Sequence, residues 1–217
     1  MKLPLAKLCC LIFALSAAVA HSQTLNWASF SESTIVNSQG DPLDSTFVFE
    51  LGAFSDGFVP DESNIGSWDI HWQVFDTTDY SYDPINLGYF TGTADVQNVP
   101  GYTSMFEGLK AYIWIHNTTE TEHFLASTSS DKWRFPTLVP GCCPNGEGPT
   151  WSVGDLNNDD PIWGSQTGNS GGGDLGVPGP PGSPFDIQTH AIPETGSSLL
   201  ALIGLGMAIV RRRRTAA

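Results

Sequence analysis

Six consecutive residues carry the densest oxygen chemistry in the chain: Asp155-Leu156-Asn157-Asn158-Asp159-Asp160. Oxygen side chains at the first, third and fifth positions are how a loop offers ligands to one hard cation, and Asp155, Asn157 and Asp159 fit a calcium site on that count. The match is partial, because Asp160 stands where such loops need Gly and Gln166 stands where they place a bidentate carboxylate. A solvated acidic turn is the other reading. Cys142 and Cys143 are adjacent and are the only thiols outside the first ten residues. In an oxidising compartment they can close a strained vicinal disulfide or bridge to another molecule, and no neighbouring His or Cys completes a metal site. Of seven tryptophans, Trp151 and Trp163 lie in the loop-rich part and are expected at the surface, where indole faces can stack on a saccharide. The five histidines show no zinc spacing, and there is no Gly-x-Ser-x-Gly elbow or phosphate loop. Acidic pairs are plentiful, but nothing singles one out for glycoside chemistry. The residues therefore point away from an enzyme.

Charge placement excludes another class of partner. The chain has 9 basic and 23 acidic residues, yet Lys2, Lys7 and Arg211 to Arg214 sit at its ends. Between them only Lys110, Lys132 and Arg134 face 22 acids, so the body carries a net charge of −19. Such a surface repels a nucleic-acid backbone.

The ends read as targeting devices. Residues 1–22 have the form of a secretory signal peptide: Lys2 and Lys7 frame the start of an apolar run, Leu8 to Val19, followed by small residues. Cleavage by signal peptidase is expected after Ala20 or after Ser22, and Cys9 and Cys10 leave with the peptide. At the other end, Ile192-Pro193-Glu194-Thr195-Gly196 is followed by an apolar helix over 197–210 and then Arg211, Arg212, Arg213 and Arg214. A helix of that length rises about 21 Å against a hydrocarbon core of ~30 Å, which suits transient membrane insertion better than a lasting span. The arginines act as a membrane stop and put the tail on the cytoplasmic side.

These C-terminal residues resemble the PEP-CTERM sorting signal of Gram-negative bacteria, with Pro193, Glu194 and Thr195 as the recognition motif of a Pro-Glu-Thr variant. The resemblance implies processing by an exosortase, an intramembrane cysteine transpeptidase, and delivery to the cell envelope or an exopolysaccharide matrix. Thr195 replaces the usual second Pro, and the resulting pentapeptide is one residue from the Leu-Pro-x-Thr-Gly motif of Gram-positive sortases. Ile192, the short apolar run starting directly after Gly196 and the compact signal peptide favour the exosortase; a sortase-anchored wall protein and a plain single-span tail are the alternatives. The block Gly57-Phe58-Val59-Pro60, Asn64, Trp68, Trp72, Phe75-Asp76 is also similar to one in small PEP-CTERM proteins of unknown function, and names no activity.

What remains is an acidic body, residues 23–191, long enough for one core. Its runs are short, β-branched or aromatic and punctuated by turn residues, which predicts an all-β, sandwich-like fold. Strands are expected at Leu25–Ser29, Thr46–Phe54, Tyr89–Thr93, Ala111–Asn117, Phe124–Thr128, Trp133–Phe135 and Phe185–Ala191. In Glu62–Phe75 strand alternation competes with helical spacing of Ile65, Trp68, Trp72 and Phe75, and Pro60-Asp61 favours a short amphipathic helix. A Gly- and Pro-rich loop is expected at about residues 140–184. The functional expectation is a secreted, non-catalytic envelope or matrix protein in contact with extracellular polysaccharide. The alternative is a calcium-assisted carbohydrate-binding surface module; calcium is the one cofactor the sequence suggests.

Overall fold

The computed structural model describes residues 23–29, 33–55, 57–83, 87–119, 121–138, 148–166 and 186–192. Residues 1–22, expected as a signal peptide, Cys142 and Cys143, the Gly-rich core of the 140–184 stretch and everything from Pro193 onward lie outside the described residues.

Thirteen strands are described: β1 (Thr24–Ala28), β2 (Ile35–Val36), β3 (Phe47–Phe54), β4 (Trp72–Thr78), β5 (Tyr80–Asp83), β6 (Leu87–Asp95), β7 (Tyr112–Asn117), β8 (Glu122–Ala126), β9 (Thr150–Ser152), β10 (Pro161–Trp163), β11 (Ser165–Gln166), β12 (Ile187–Gln188) and β13 (His190–Ala191). The all-β reading holds. A six-stranded sheet runs β10-β8-β7-β3-β4, with β13 sharing the outer edge of β8 with β10. A four-stranded sheet runs β5-β6-β1-β9, and a small sheet runs β11-β12-β2. In a strand, successive side chains face opposite sides, so Phe49, Leu51 and Ala53 of β3 and Ile113 and Ile115 of β7 all enter one core. Leu25, Trp27 and Phe90 enter it from the four-stranded sheet. The two sheets meet where the Phe49 and Phe90 rings lie 5.0 Å apart.

A second, smaller core covers the opposite face of the six-stranded sheet, where Phe54, Trp68, Tyr112, Trp114 and Leu125 pack together. Its cover is the 3-10 turn Glu62–Ser67 running into the one-turn helix α1 (Trp68–His71). The turn starts on a capping box: the Asp61 carboxylate accepts from the Ser63 amide at 2.7 Å, and the Asn64 side chain accepts from the Asp61 amide at 2.9 Å. Both local signals satisfy donors that a helix start leaves unpaired. Asn64 also accepts from the Trp68 indole at 2.8 Å, which pins the ring over the sheet.

The helix expected over Glu62–Phe75 stops at His71, because Trp72–Thr78 pairs along β3 with a bulge between Leu51 and Gly52. Pairing supplies those backbone groups with partners and places Phe75 in the main core, so it overrides the helical spacing. Trp133–Phe135 was expected as a strand, yet the described backbone makes only a bridge from Lys110 to Arg134. Trp133 and Phe135 are buried nonetheless, carried inward by a turn. Phe185–Ala191 resolves, from Asp186 onward, into β12, parallel to β2, and β13, antiparallel to β8.

Candidate functional site

The acidic loop is folded around its own hydrogen bonds. The turn Val153–Asp155 closes a second capping box, in which Ser152 Oγ accepts from the Gly154 amide at 3.2 Å and Asp155 Oδ2 accepts from the Ser152 amide at 3.0 Å. Asp155 Oδ2 also accepts from the Trp133 indole at 3.1 Å, and Lys132 pairs with Oδ1. Burial pushes the Asp155 carboxyl up, but the bonds from Lys132, Trp133 and Ser152 together hold it below the ordinary carboxylate value. Asn157 and Asp159 are exposed, and the loop is closed instead by buried Asp160. Its carboxylate accepts from the Ser129 amide and from the Asn157 amide, both at 2.8 Å. Asp160, at the position where a calcium loop needs Gly, is thus the residue that shapes the turn. Among the described residues no three His, Cys, Asp or Glu side chains gather at metal-binding distance.

Asp155 is therefore expected to matter for stability. Asp155→Ala leaves the Trp133 indole and the Ser152 amide without their acceptor, for a loss of about 3 kcal/mol in denaturant unfolding. Because the folded carboxyl is held low, its contribution is present above the unfolded value of 3.8 and fades as pH falls through the folded one. The difference between wild type and Asp155→Ala should shrink on acidification; a difference equal at pH 7 and pH 2.5 would oppose this account.

Trp151, expected at the surface, is 1% exposed. It lies on β9 opposite Trp27, in a parallel pairing with β1 that sequence spacing does not reveal, and packs 5.4 Å from the Phe135 ring. Trp163 is half-buried at the β10 edge, its indole donating to the His190 carbonyl at 3.0 Å. The two rings do not form an exposed stacking pair.

The structure instead assembles a polar aromatic cluster on the outer face of the six-stranded sheet. His190 on β13, His123 on β8 and His116 on β7 are direct register partners, which puts three of the five histidines in one row across three strands. The rings of His116 and His123 are 5.9 Å apart. The Trp114 indole donates to His123 Nδ1 at 2.9 Å, so a neutral His123 carries its proton on Nε2. Glu50 Oε2 accepts from the Trp72 indole at 2.7 Å and stands 3.6 Å from His116 Nε2. His190 Nε2 shares a 2.6 Å hydrogen bond with Ser165 Oγ. Beside this row, a cleft of about 190 Å³ lies between the helical cover and the sheet, lined by Ile65, Gly66, Asp69, Trp114, His123 and Ile192.

Sequence reasoning missed this cluster because it looked for zinc spacing. The available signal was a hairpin: His116 and His123 are equidistant from the turn between β7 and β8, and so must face each other. His190 had no such signal. The cluster offers a carboxylate, imidazoles, indole donors and one hydroxyl–imidazole pair, Ser165 with His190. No family model matches the chain, and no curated protein or solved structure aligns with it significantly.

Proposed function

We propose that the chain is a secreted, non-catalytic cell-envelope or matrix protein whose acidic body is delivered by signal peptidase at its front and an exosortase-type enzyme at its back. The observation that carries this reading is the junction at residue 192. The Ile192 amide donates to the Thr121 carbonyl at 2.8 Å, and Pro193-Glu194-Thr195 follows at once in the sequence. The motif thus begins where the last described strand is tied off, and the short apolar run and four arginines follow in the sequence without a linker. This layout supports a signal handed to a membrane enzyme at the edge of a folded domain. The excess of 22 acids over 3 bases in the body supports an extracytoplasmic surface that stays dispersed by self-repulsion.

Glu194→Ala tests the motif. In a host with the processing enzyme, the variant is expected to accumulate as a membrane-retained precursor while the wild type is released, read by fractionation and intact mass. Equal release of both would remove the motif's role, equal retention of both would leave a plain anchor, and release that requires only a sortase would move the protein to the wall-anchored alternative.

A further inference from the structure

The segment 186–192 is the clasp that closes the described fold. The Asp186 and Ile187 amides both donate to the Thr34 carbonyl, at 2.9 and 3.1 Å, and the Thr189 amide donates to the Val36 carbonyl at 3.0 Å. Downstream, Glu122 accepts from the Thr189 hydroxyl at 2.7 Å and from both the amide and the hydroxyl of Ser38. Most buried polar groups here find partners, and the carboxyl group that leaves an oxygen without one is Asp186.

Asp186 is 2% exposed, and its carboxyl accepts a single hydrogen bond, from the Thr34 amide to Oδ2 at 2.5 Å. Oδ1 is buried with no partner, and so is the Thr34 hydroxyl. Asp186 and Thr34 directly precede the paired residues Ile187 and Ile35, so the parallel register brings the Asp186 carboxylate to the Thr34 amide. An ionised carboxylate there strands a charged oxygen away from water and from any donor, whereas the neutral acid buries no charge. We propose that Asp186 is a proton-operated latch on the segment 186–192, which is clasped to β2 while the carboxyl is neutral and loosens ahead of the rest of the fold when the proton leaves.

Among the described residues, β2, β8, β11, β12 and β13 carry no Lys or Arg. Glu122, His123 and His190 are the titratable groups on the paired strands, and they are bound to Ser38 and Thr189, to the Trp114 indole and to Ser165 respectively. Asp41 lies exposed on the turn after β2, and Asp155, on the turn that Gln166 binds, is paired with Lys132. Burial pushes the Asp186 carboxyl from 3.8 up to about 6, against the smaller opposing effect of the Thr34 amide. A raised folded value means that the clasp has its full strength below about pH 4 and loses it as pH rises through about 6. If the open segment exposes Asp186 to water, the closed-to-open ratio falls ~100-fold between pH 4 and neutrality. The latch stands independently of the sorting proposal, although it would loosen the strand next to residue 193.

Amide exchange on the full chain, corrected for intrinsic rates, tests it. Protection of the Ile187 and Thr189 amides is expected to fall at least tenfold from pH 5 to pH 7.5 while that of Ile113 in β7 stays constant, and Asp186→Asn should abolish the fall. Equal protection of the wild type at both pH values, or the same fall in Asp186→Asn, overturns the latch. Should the variant not fold, an NMR titration of the wild-type Asp186 carboxyl decides: a midpoint near 6 supports the latch, and one near 4 removes it.

Discussion

Gly92→Ala is expected to destabilise the fold by at least about 3 kcal/mol, because the added methyl has no room. Gly92 on β6 is the register partner of Trp27 on β1, and the Trp27 ring lies across it. A Cβ at residue 92 would sit 2.0 Å from Trp27 Nε1 and 2.8 Å from Asp76 Oδ2. The indole would have to swing away, which breaks its 2.7 Å hydrogen bond to Asp76 and leaves that carboxylate without its buried donor. It would also disturb the contact with Phe90, whose ring is 5.4 Å from Trp27 and bridges to the other sheet through Phe49. The measurement is equilibrium unfolding in urea, where the midpoint should drop with an unchanged slope. Gly66→Ala serves as the control: nothing lies within 4 Å of its added methyl, so its cost should stay below about 0.5 kcal/mol. The double variant Gly92→Ala with Trp27→Phe, which removes the obstructing part of the ring, should cost less than the sum of its parts. A loss under about 1 kcal/mol for Gly92→Ala alone would mean that Trp27 pivots freely and is not the keystone of the sheet contact.

The same pair shows what the sequence could and could not convey. Alternation of Phe47, Phe49 and Leu51, and the two-sided apolar run through Tyr112 to Ile115, announce β3 and β7 without help, because each strand's burial is written in its own period. Nothing local announces that Trp27 finds Gly92 on one side and Trp151 on the other, since those pairings join residues far apart in the chain. Trp151 was misread as exposed for that reason: the turn residues around it are real, but a three-residue parallel strand buries it. Segment 62–75 was ambiguous because it spans two elements, a capped helical turn that ends at His71 and a strand that begins at Trp72. The candidate cluster follows the same divide. His116 and His123 were within reach of a hairpin argument, whereas His190 joins them only through β13, and Asp186 is one acid among 23 until its burial is seen. Its neighbour Thr34 is equally inconspicuous in sequence. Local period fixes which face of a strand is apolar, and only long-range register decides which polar groups end up together.

Trp68→Ala is expected to cost about 3–5 kcal/mol, the range for deleting a buried Trp from a packed site. The ring is fully buried and makes edge contacts with Phe54 and Trp114 at 6.4 and 6.0 Å. Its loss would open a void under the turn 62–67 and free Asn64, which uses one oxygen to hold both the Trp68 indole and the Asp61 amide. Trp68→Phe keeps most of the packing and removes only the indole hydrogen bond, so about 1 to 2 kcal/mol of the loss should return to the Asn64 contact. Where the loss appears decides what the cover is. If global unfolding in urea registers the full cost, the outer core of Phe54, Tyr112 and Leu125 is integral to the fold, and the cleft at His123 is a fixed feature of its surface. If thermal melting barely moves while amide exchange accelerates only in residues 61–71, the cover opens as its own unit. In that second case Trp114 and His123 would be reachable from solvent without unfolding the sheet. The exposed Ile70 on the cover, at 76%, and Val59 before it, at 72% with its carbonyl bound by Asn64, would then move with the cover rather than with the sheet below.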